Sequence, residues 1–93
     1  MEKTVLVGVI TNDQGYEKSM DYLEELEFLT VTAGGFVNKV FTQKLNNPNP
    51  KTFIGEGKIN EIRDYIKEHD VKTVIFDDEL TATQERNISK IFN

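Results

Sequence analysis

Hydrophobic and polar positions along the chain alternate between two periods. Short runs rich in apolar and β-branched residues predict three buried strands, at Thr4–Ile10, Phe36–Lys44 and Lys72–Phe76. Elsewhere apolar residues recur every three or four positions, which predicts helices from about Ser19 to Ala33, Lys58 to His69 and Thr81 to Ile91. This order indicates an α/β fold, a small β-α-β-α-β-α unit with a mainly parallel sheet and helices packed on its faces.

The first predicted helix has a hydrophobic stripe and signals at both ends. The expected inward positions are Tyr22, Leu23, Leu26 and Leu29. Ser19 is the expected N-cap, and Gly34-Gly35 is the expected stop, because glycine accepts the left-handed conformation at a helix C-terminus. These features predict a helix that packs one side on the sheet.

Isoleucines mark the inward sides of the two later helices, at Ile59, Ile62 and Ile66 in one and at Ile88 and Ile91 in the other. Thr81 and Gln84 fit a capping box at the start of the last helix. Three phenylalanines interleaved with strand residues are expected in the core: Phe36, Phe41 and Phe76.

Composition limits the class of protein. The 93 residues carry a net charge of −5 and are 38% hydrophobic, which suits one small acidic domain over residues 1–93. The absence of cysteine excludes disulfides, thiolate metal sites and cysteine nucleophiles. No apolar run approaches the ~20 residues of a membrane helix, and Met1 leads into a strand-like run without signal-peptide architecture. We therefore expect a cytoplasmic protein with no membrane span.

Charge is unevenly distributed along the chain. Residues 39–63 hold five lysine and arginine side chains against two glutamates, whereas the segments before and after them are net acidic. A basic segment between acidic ends favours contact with an anionic partner, although scattered surface lysines alone are common.

The most informative motif is the glycine turn Phe53–Lys58, which opens a helix after a loop containing Pro48 and Pro50. Backbone N–H groups and the positive end of the helix dipole make such a turn an anion site in principle. The GxxxxGK[ST] and GxGxxG patterns both fail, because Ile59 replaces the serine or threonine and Asn60 replaces the last glycine. A tight turn with an exposed lysine accounts for the same residues, so both interpretations stand.

Two further polar features admit a functional or a structural interpretation. Asp77-Asp78-Glu79 follows a strand, where parallel-sheet enzymes place magnesium ligands, but a solvated strand exit has the same composition. His69, the single histidine, lacks the further ligands that a metal site needs and the partners that a catalytic triad needs. The sequence therefore predicts no metal site and no catalytic residue in this chain.

Two motifs resemble, in the right order, the N-terminal domain of HflX-type GTPases. The first is Asn47–Lys58 (NPNPKTFIGEGK), similar to that family's proline-containing loop followed by a Thr-aromatic-Ile-Gly-x-Gly-Lys turn. The second is Val74–Leu80 followed by Gln84, Arg86 and Asn87. The resemblance covers nearly the whole chain.

This resemblance implies a module that contacts ribosomal RNA of the large ribosomal subunit, in a cytosolic GTPase that splits stalled or stressed ribosomes. The implied rRNA- or anion-binding residues are Lys44, Asn47, Asn49, Lys51, Thr52, Gly55, Gly57 and Lys58. Where the family tends to carry arginines and aspartates before the glycine turn, this chain has lysine and asparagines, which implies fewer bidentate phosphate contacts.

The resemblance also implies a division of labour within a longer protein. GTP and magnesium would bind a later GTPase domain, which would be a partner of this one, and the 93 residues alone would hold no cofactor and have no enzymatic activity. The linking helices, the GTPase domain and a strand after Asn93 would lie outside this chain.

Two alternatives remain open from the sequence. One is a nucleotide-binding domain with Gly55–Lys58 on a phosphate and Asp77 with Asp78 on magnesium. The other is an intramolecular module that regulates the GTPase domain without RNA contact. We expect a monomer or weak dimer, because an unpaired sheet edge promotes association.

Overall fold

The computed structural model describes residues 2–93, which form three strands and three helices in the predicted order. The elements are β1 (Lys3–Ile10), α1 (Tyr16–Thr32), β2 (Phe36–Lys44), α2 (Glu56–His69), β3 (Thr73–Phe76) and α3 (Ala82–Phe92). The strands pair in parallel in the order β2-β1-β3, so β1 is central. The predicted small α/β unit with a parallel sheet is confirmed. No helix within residues 2–93 combines the length and the apolar character needed to cross a membrane.

The two faces of the sheet are covered by different helices, because successive strand side chains point to opposite faces. Val5 and Val7 of β1 belong to the main core cluster together with Ile62 of α2 and Ile88 of α3. On the other face, a side chain added at Gly8 would meet Leu23 of α1 at 2.8 Å. The sheet therefore lies between α1 on one side and α2 with α3 on the other. Right-handed crossovers that run in opposite directions across a sheet place their helices on opposite faces, and the connections through α1 and α2 run in opposite directions.

Helix α1 starts earlier than predicted, and Ser19 is not its N-cap. The N-cap is Gly15 at φ 83°, a conformation that glycine adopts without steric cost. Ser19 lies inside the helix, only 2% exposed, and its hydroxyl oxygen accepts a hydrogen bond from Gln14 Nε2 at 2.9 Å. The prediction failed because a serine suited to capping is equally suited to a buried position when a nearby side chain satisfies its hydroxyl.

The buried side of α1 also differs from the prediction. Leu23 is buried as expected, but Tyr22 is 43% and Leu29 is 53% exposed. Thr30 takes the inward position instead, and its hydroxyl donates to the Leu26 carbonyl at 2.8 Å. A polar residue satisfied within its own helix thus occupies the sheet-facing side, which apolar spacing alone does not reveal.

The remaining predictions agree closely, with one exception among the aromatics. The capping box of α3 between Thr81 and Gln84 is present, and α2 begins at Glu56, two residues before the predicted start. Phe41 is buried, and Phe76 packs against the core. Phe36 is 47% exposed, so its predicted core position was wrong: it begins the edge strand β2, where one flank is open.

The carboxyl ends of the strands meet at one edge of the sheet. There the Leu45 N–H donates to the Ile10 carbonyl at 3.0 Å, and the Asp77 N–H donates to the Val7 carbonyl at 2.8 Å. The connection after β1 runs to β2 on one side, and the connection after β2 crosses back past β1 to β3 on the other side. The direction of the connections therefore reverses at β1, which makes this edge a topological switch point, where open parallel sheets bind their ligands. The loop between β2 and α2 starts at this edge.

Candidate functional site

The loop between β2 and α2 closes on itself through Asn49 and Phe53. The N–H of each donates to the carbonyl of the other, at 2.9 and 2.7 Å. The side-chain Oδ1 of Asn49 also accepts from the N–H groups of Lys51 at 2.8 Å and Thr52 at 3.3 Å, as in an Asx turn. We call residues 49–53 the lysine turn, because these bonds hold its backbone while the Lys51 side chain stays exposed.

Phe53 fixes the lysine turn to the core. Its backbone lies in the left-handed region at φ 67°, and its side chain is 2% exposed. The ring packs edge-on against Phe76 at the end of β3, with centroids 5.6 Å apart. A bulky residue in this region of backbone space costs about 1–2 kcal/mol, so burial of the ring offsets the strain that shapes the turn.

Helix α3 holds the turn from the other side. Gln84 Nε2 donates to the Asn49 carbonyl at 2.9 Å, and Asn87 Nδ2 donates to the Lys51 carbonyl at 3.0 Å. Gln84 is 6% exposed, and its side-chain oxygen also accepts from the Thr81 N–H in the capping box. Residues of the two sequence motifs that are 35 positions apart in the chain therefore meet in space.

An open groove of about 580 Å³ runs beside the lysine turn, between the first turns of α2 and the end of α3. Lys51 and Asn87 line it, together with Asn60 and Lys90, which no sequence motif indicates as site residues. The available signal for Lys90 was its i, i+3 spacing from Asn87, which puts both side chains on one face of α3. Glu56 also lines the groove, which therefore carries both positive and negative side chains.

Gly55 and Lys58 already have partners within the domain. The Gly55 N–H donates to Gln43 Oε1 at 2.8 Å, and Lys58 Nζ forms an ion pair with Glu61 at 3.0 Å. A phosphate at Gly55 would have to displace Gln43. Gly57 differs, because a side chain added there would meet nothing within 4 Å, so its backbone is open to close approach.

The remaining two predicted site residues lie before the turn. Lys44 ends β2 and is exposed, and Asn47 is exposed in the bend that follows. Within residues 2–93, the three ion pairs involve Lys58, Arg63 and Lys72. Lys44 and Lys51 thus keep their charges free of carboxylate partners in the described part of the chain.

The acidic exit of β3 shows no metal site. Residues 2–93 contain no group of three histidine, cysteine, aspartate or glutamate side chains placed to hold a metal ion. Burial raises the pKa of the Asp77 carboxyl above its ordinary value, and the neighbouring Asp78 charge raises it further. His69 stacks on the Tyr65 ring with centroids 4.1 Å apart, and its carbonyl accepts from Lys3 Nζ at 3.0 Å, which accounts for it structurally.

The raised pKa of Asp77 makes a pH-dependent contribution to stability. A carboxyl whose pKa is higher in the folded state favours folding most below its unfolded value near 3.8, and that contribution is lost as the pH rises through the folded value. Asn at position 77 stays neutral at every pH. We therefore expect the free energy of unfolding of Asp77→Asn, relative to that of the wild type, to increase as the pH is raised from about 3 to about 7. Urea unfolding at both pH values measures this, with Asp13→Asn as an exposed control; a difference that does not change with pH would contradict it.

These observations define the class of protein: a small doubly wound parallel α/β domain with a cationic turn fixed at the carboxyl edge of its sheet. The chain belongs to the GTP-binding GTPase N-terminal family, whose model matches residues 20–93. The family resemblance of the two motifs is thereby confirmed.

Curated relatives point the same way. The chain is 58% identical over 92 residues to GTPase HflX of Flavobacterium psychrophilum, covering 99% of this chain and 22% of that protein. It is 40% identical to GTPase HflX of Lacrimispora saccharolytica, covering 94% of this chain and 20% of the relative. It is 37% identical to GTPase HflX of Escherichia coli, covering 97% and 20%. The chain thus spans about a fifth of the length of these relatives.

Residues 2–93 do not fit a site for GTP with magnesium. The glycine turn lacks the serine or threonine that would hold magnesium after its lysine. The Gly55 N–H and the Lys58 ammonium are engaged by Gln43 and Glu61, and no carboxylate cluster is placed for a metal within the described range.

Proposed function

We propose that this domain contacts ribosomal RNA of the large ribosomal subunit, as the N-terminal part of a cytoplasmic GTP-binding protein of the HflX type that splits stalled or stressed ribosomes. The observation that carries the proposal is the lysine turn, which exposes Lys51 on a backbone fixed by Asn49 and by α3. In this proposal GTP, magnesium and GTP hydrolysis belong to the portion of the intact protein outside this chain. The relatives named GTPase HflX are about five times as long, which is consistent with a separate GTPase domain.

A fixed turn is suited to bind a folded RNA surface. Because the backbone from Asn49 to Phe53 is already hydrogen-bonded, little conformational entropy is lost when the turn contacts a phosphate. Lysine acts on a phosphate as a point charge rather than a bidentate donor, so each contact contributes modest affinity that falls with salt.

The charges around the turn orient the domain. Lys44 and Lys51 are exposed and unpaired within residues 2–93, and the open backbone at Gly57 lies in the first turn of α2. The segments on either side of the basic middle are net acidic and would be repelled by RNA. RNA therefore meets the domain through the lysine turn and not through its body.

Tight and regulated binding needs the rest of the protein. A GTPase domain on the same polypeptide provides a second site, and linkage of two weak sites raises the overall affinity. GTP bound there would favour the ribosome-bound conformation of the intact protein.

Co-sedimentation of the intact GTP-bound protein with large ribosomal subunits tests the proposal. We expect Lys51→Ala to weaken binding by roughly three- to tenfold and to reduce the salt dependence by about one phosphate contact. Lys58→Ala should have a smaller effect, because Lys58 is paired with Glu61. Lys67→Ala, an exposed lysine in the last turn of α2, is the matched control.

Equal binding of wild type and Lys51→Ala across the salt range would contradict RNA contact through the lysine turn. Equal losses from Lys51→Ala and Lys67→Ala would indicate a general charge effect and also contradict it. Loss confined to Lys51→Ala, with a shallower salt slope, supports the proposal.

A further inference from the structure

Helix α1 carries an exposed stripe on the side away from the sheet. Its members recur at spacings of four and three residues, which places them on one face of the helix: Glu17, Asp21, Glu24, Phe28 and Val31. Phe28 is 69% exposed and Val31 is 55% exposed. We call these five residues the outer α1 stripe. Two large apolar side chains are thus exposed next to each other on one helix face, an arrangement found at interaction surfaces.

The chemistry of the stripe is acidic in its first half and apolar in its second. From Glu17 to Phe36 the chain has five carboxylates and one cation, Lys18, whose ammonium lies over the Tyr22 ring at 5.9 Å. The ion pairs within residues 2–93 all lie at or after Lys58, so they leave the carboxylates of α1 unpaired. Leu29 in the same helix and Phe36 at the start of β2 are also exposed. This face repels nucleic acid and complements a basic surface with apolar residues.

We propose that the outer α1 stripe docks a basic amphipathic helix of the same polypeptide, from the portion beyond residue 93. Alternating spacings of three and four residues are those by which two helices pack side by side. Charge complementarity requires lysine or arginine opposite Asp21 and Glu24, and apolar residues opposite Phe28 and Val31. The relatives are about five times as long as this chain, so the polypeptide has ample length to supply the helix, and a tether raises its effective concentration.

This docking surface is separate from the lysine turn. The apolar end of the stripe lies where α1 ends, next to the amino end of β2, whereas the lysine turn follows the carboxyl end of β2. The domain therefore holds RNA at one edge and its own polypeptide at the other, and neither proposal depends on the other.

Carbodiimide cross-linking of the intact protein tests the docking, because this reagent joins a carboxylate directly to a lysine amine. An equal mixture of ¹⁴N- and ¹⁵N-labelled protein distinguishes links within one copy from links between copies. We expect Asp21 or Glu24 to link to lysines beyond residue 93 within one copy. Phe28→Ser/Val31→Ser should abolish these links and speed amide exchange in residues 24–32 by about tenfold.

Two controls keep the test specific. Tyr16→Ser changes another exposed aromatic of α1, 64% exposed and outside the stripe, and should leave links and exchange unchanged. Asp21→Asn/Glu24→Gln removes charge without removing apolar contact, and should also speed exchange in residues 24–32.

Either of two results would overturn the proposal. Links found only between differently labelled copies would assign the stripe to a second copy of the chain. Absence of links from Asp21 and Glu24, together with exchange that neither variant changes, would show that the stripe is uncovered in the intact protein.

Discussion

Replacing Phe53 with alanine is expected to lower the free energy of unfolding by about 3–5 kcal/mol. The ring is 2% exposed and packs in the core against Phe76, so the substitution leaves a cavity between the lysine turn and β3. Alanine gains little in return, because it also disfavours the left-handed backbone at φ 67°. Domains of this size have roughly 5–15 kcal/mol of stability in all, so the loss is a large fraction.

Urea unfolding followed by circular dichroism measures this effect. In the 93-residue domain alone, where no other part of the polypeptide covers the outer α1 stripe, Phe28→Ala is the matched control, since the same side chain is removed from a site that is 69% exposed; we expect a change within about 0.5 kcal/mol. Phe53→Gly separates the two contributions, because glycine removes the ring and relieves the backbone strain, and it should be less destabilising than Phe53→Ala. Similar losses for Phe53→Ala and Phe28→Ala would show that the turn is not held by its aromatic residue.

The sequence predicts an element well when its apolar residues leave only one possible choice of buried side. Strand β1 is a run of apolar residues covered on both faces, and α2 has a single isoleucine stripe, so both were predicted to within two residues. Helix α1 was harder, because apolar residues such as Leu23 and Phe28 occur on both of its sides. Apolar spacing cannot tell the side that packs on the sheet from a side that binds something else.

The candidate site was only partly predicted, because local sequence patterns do not show contacts between residues that are distant in the chain. Local sequence identified the lysine turn as irregular, because Pro50 lies within it and Pro48 and Gly55 flank it. It identified the turn as cationic because of Lys51. It did not reveal that Gln43 occupies the Gly55 N–H or that Gln84 bonds to the Asn49 carbonyl, since these partners lie 12 and 35 positions away. Contacts of that range follow from the topology, which brings the carboxyl ends of β2 and β3 to one edge.

Gln84 is expected to contribute more to the free energy of unfolding than a helix-capping residue does. Gln84→Ala removes the bonds to the Asn49 carbonyl and to the Thr81 N–H from a site that is only 6% exposed, so we expect a loss of about 2–3 kcal/mol. Thr81→Ala removes the cap alone and should cost about 1 kcal/mol. Thr83→Ala, exposed in the first turn of α3, is the control and should change little.

Each variant removes one side-chain bond of the capping box, and only Gln84→Ala also removes the bond to the Asn49 carbonyl. An excess loss in Gln84→Ala is therefore attributed to the bond between α3 and the lysine turn. Hydrogen exchange gives an independent readout: without the Gln84 donor, the Asn49 and Phe53 amides that close the turn should exchange faster, whereas Thr81→Ala should leave them unchanged. If the bond also positions Lys51, Gln84→Ala weakens large-subunit binding by the intact protein although no charge is altered. Equal unfolding free energies and equal amide exchange for the two variants would instead mean that Gln84 only caps α3 and that the lysine turn is held without it, by Asn49, Phe53 and Asn87.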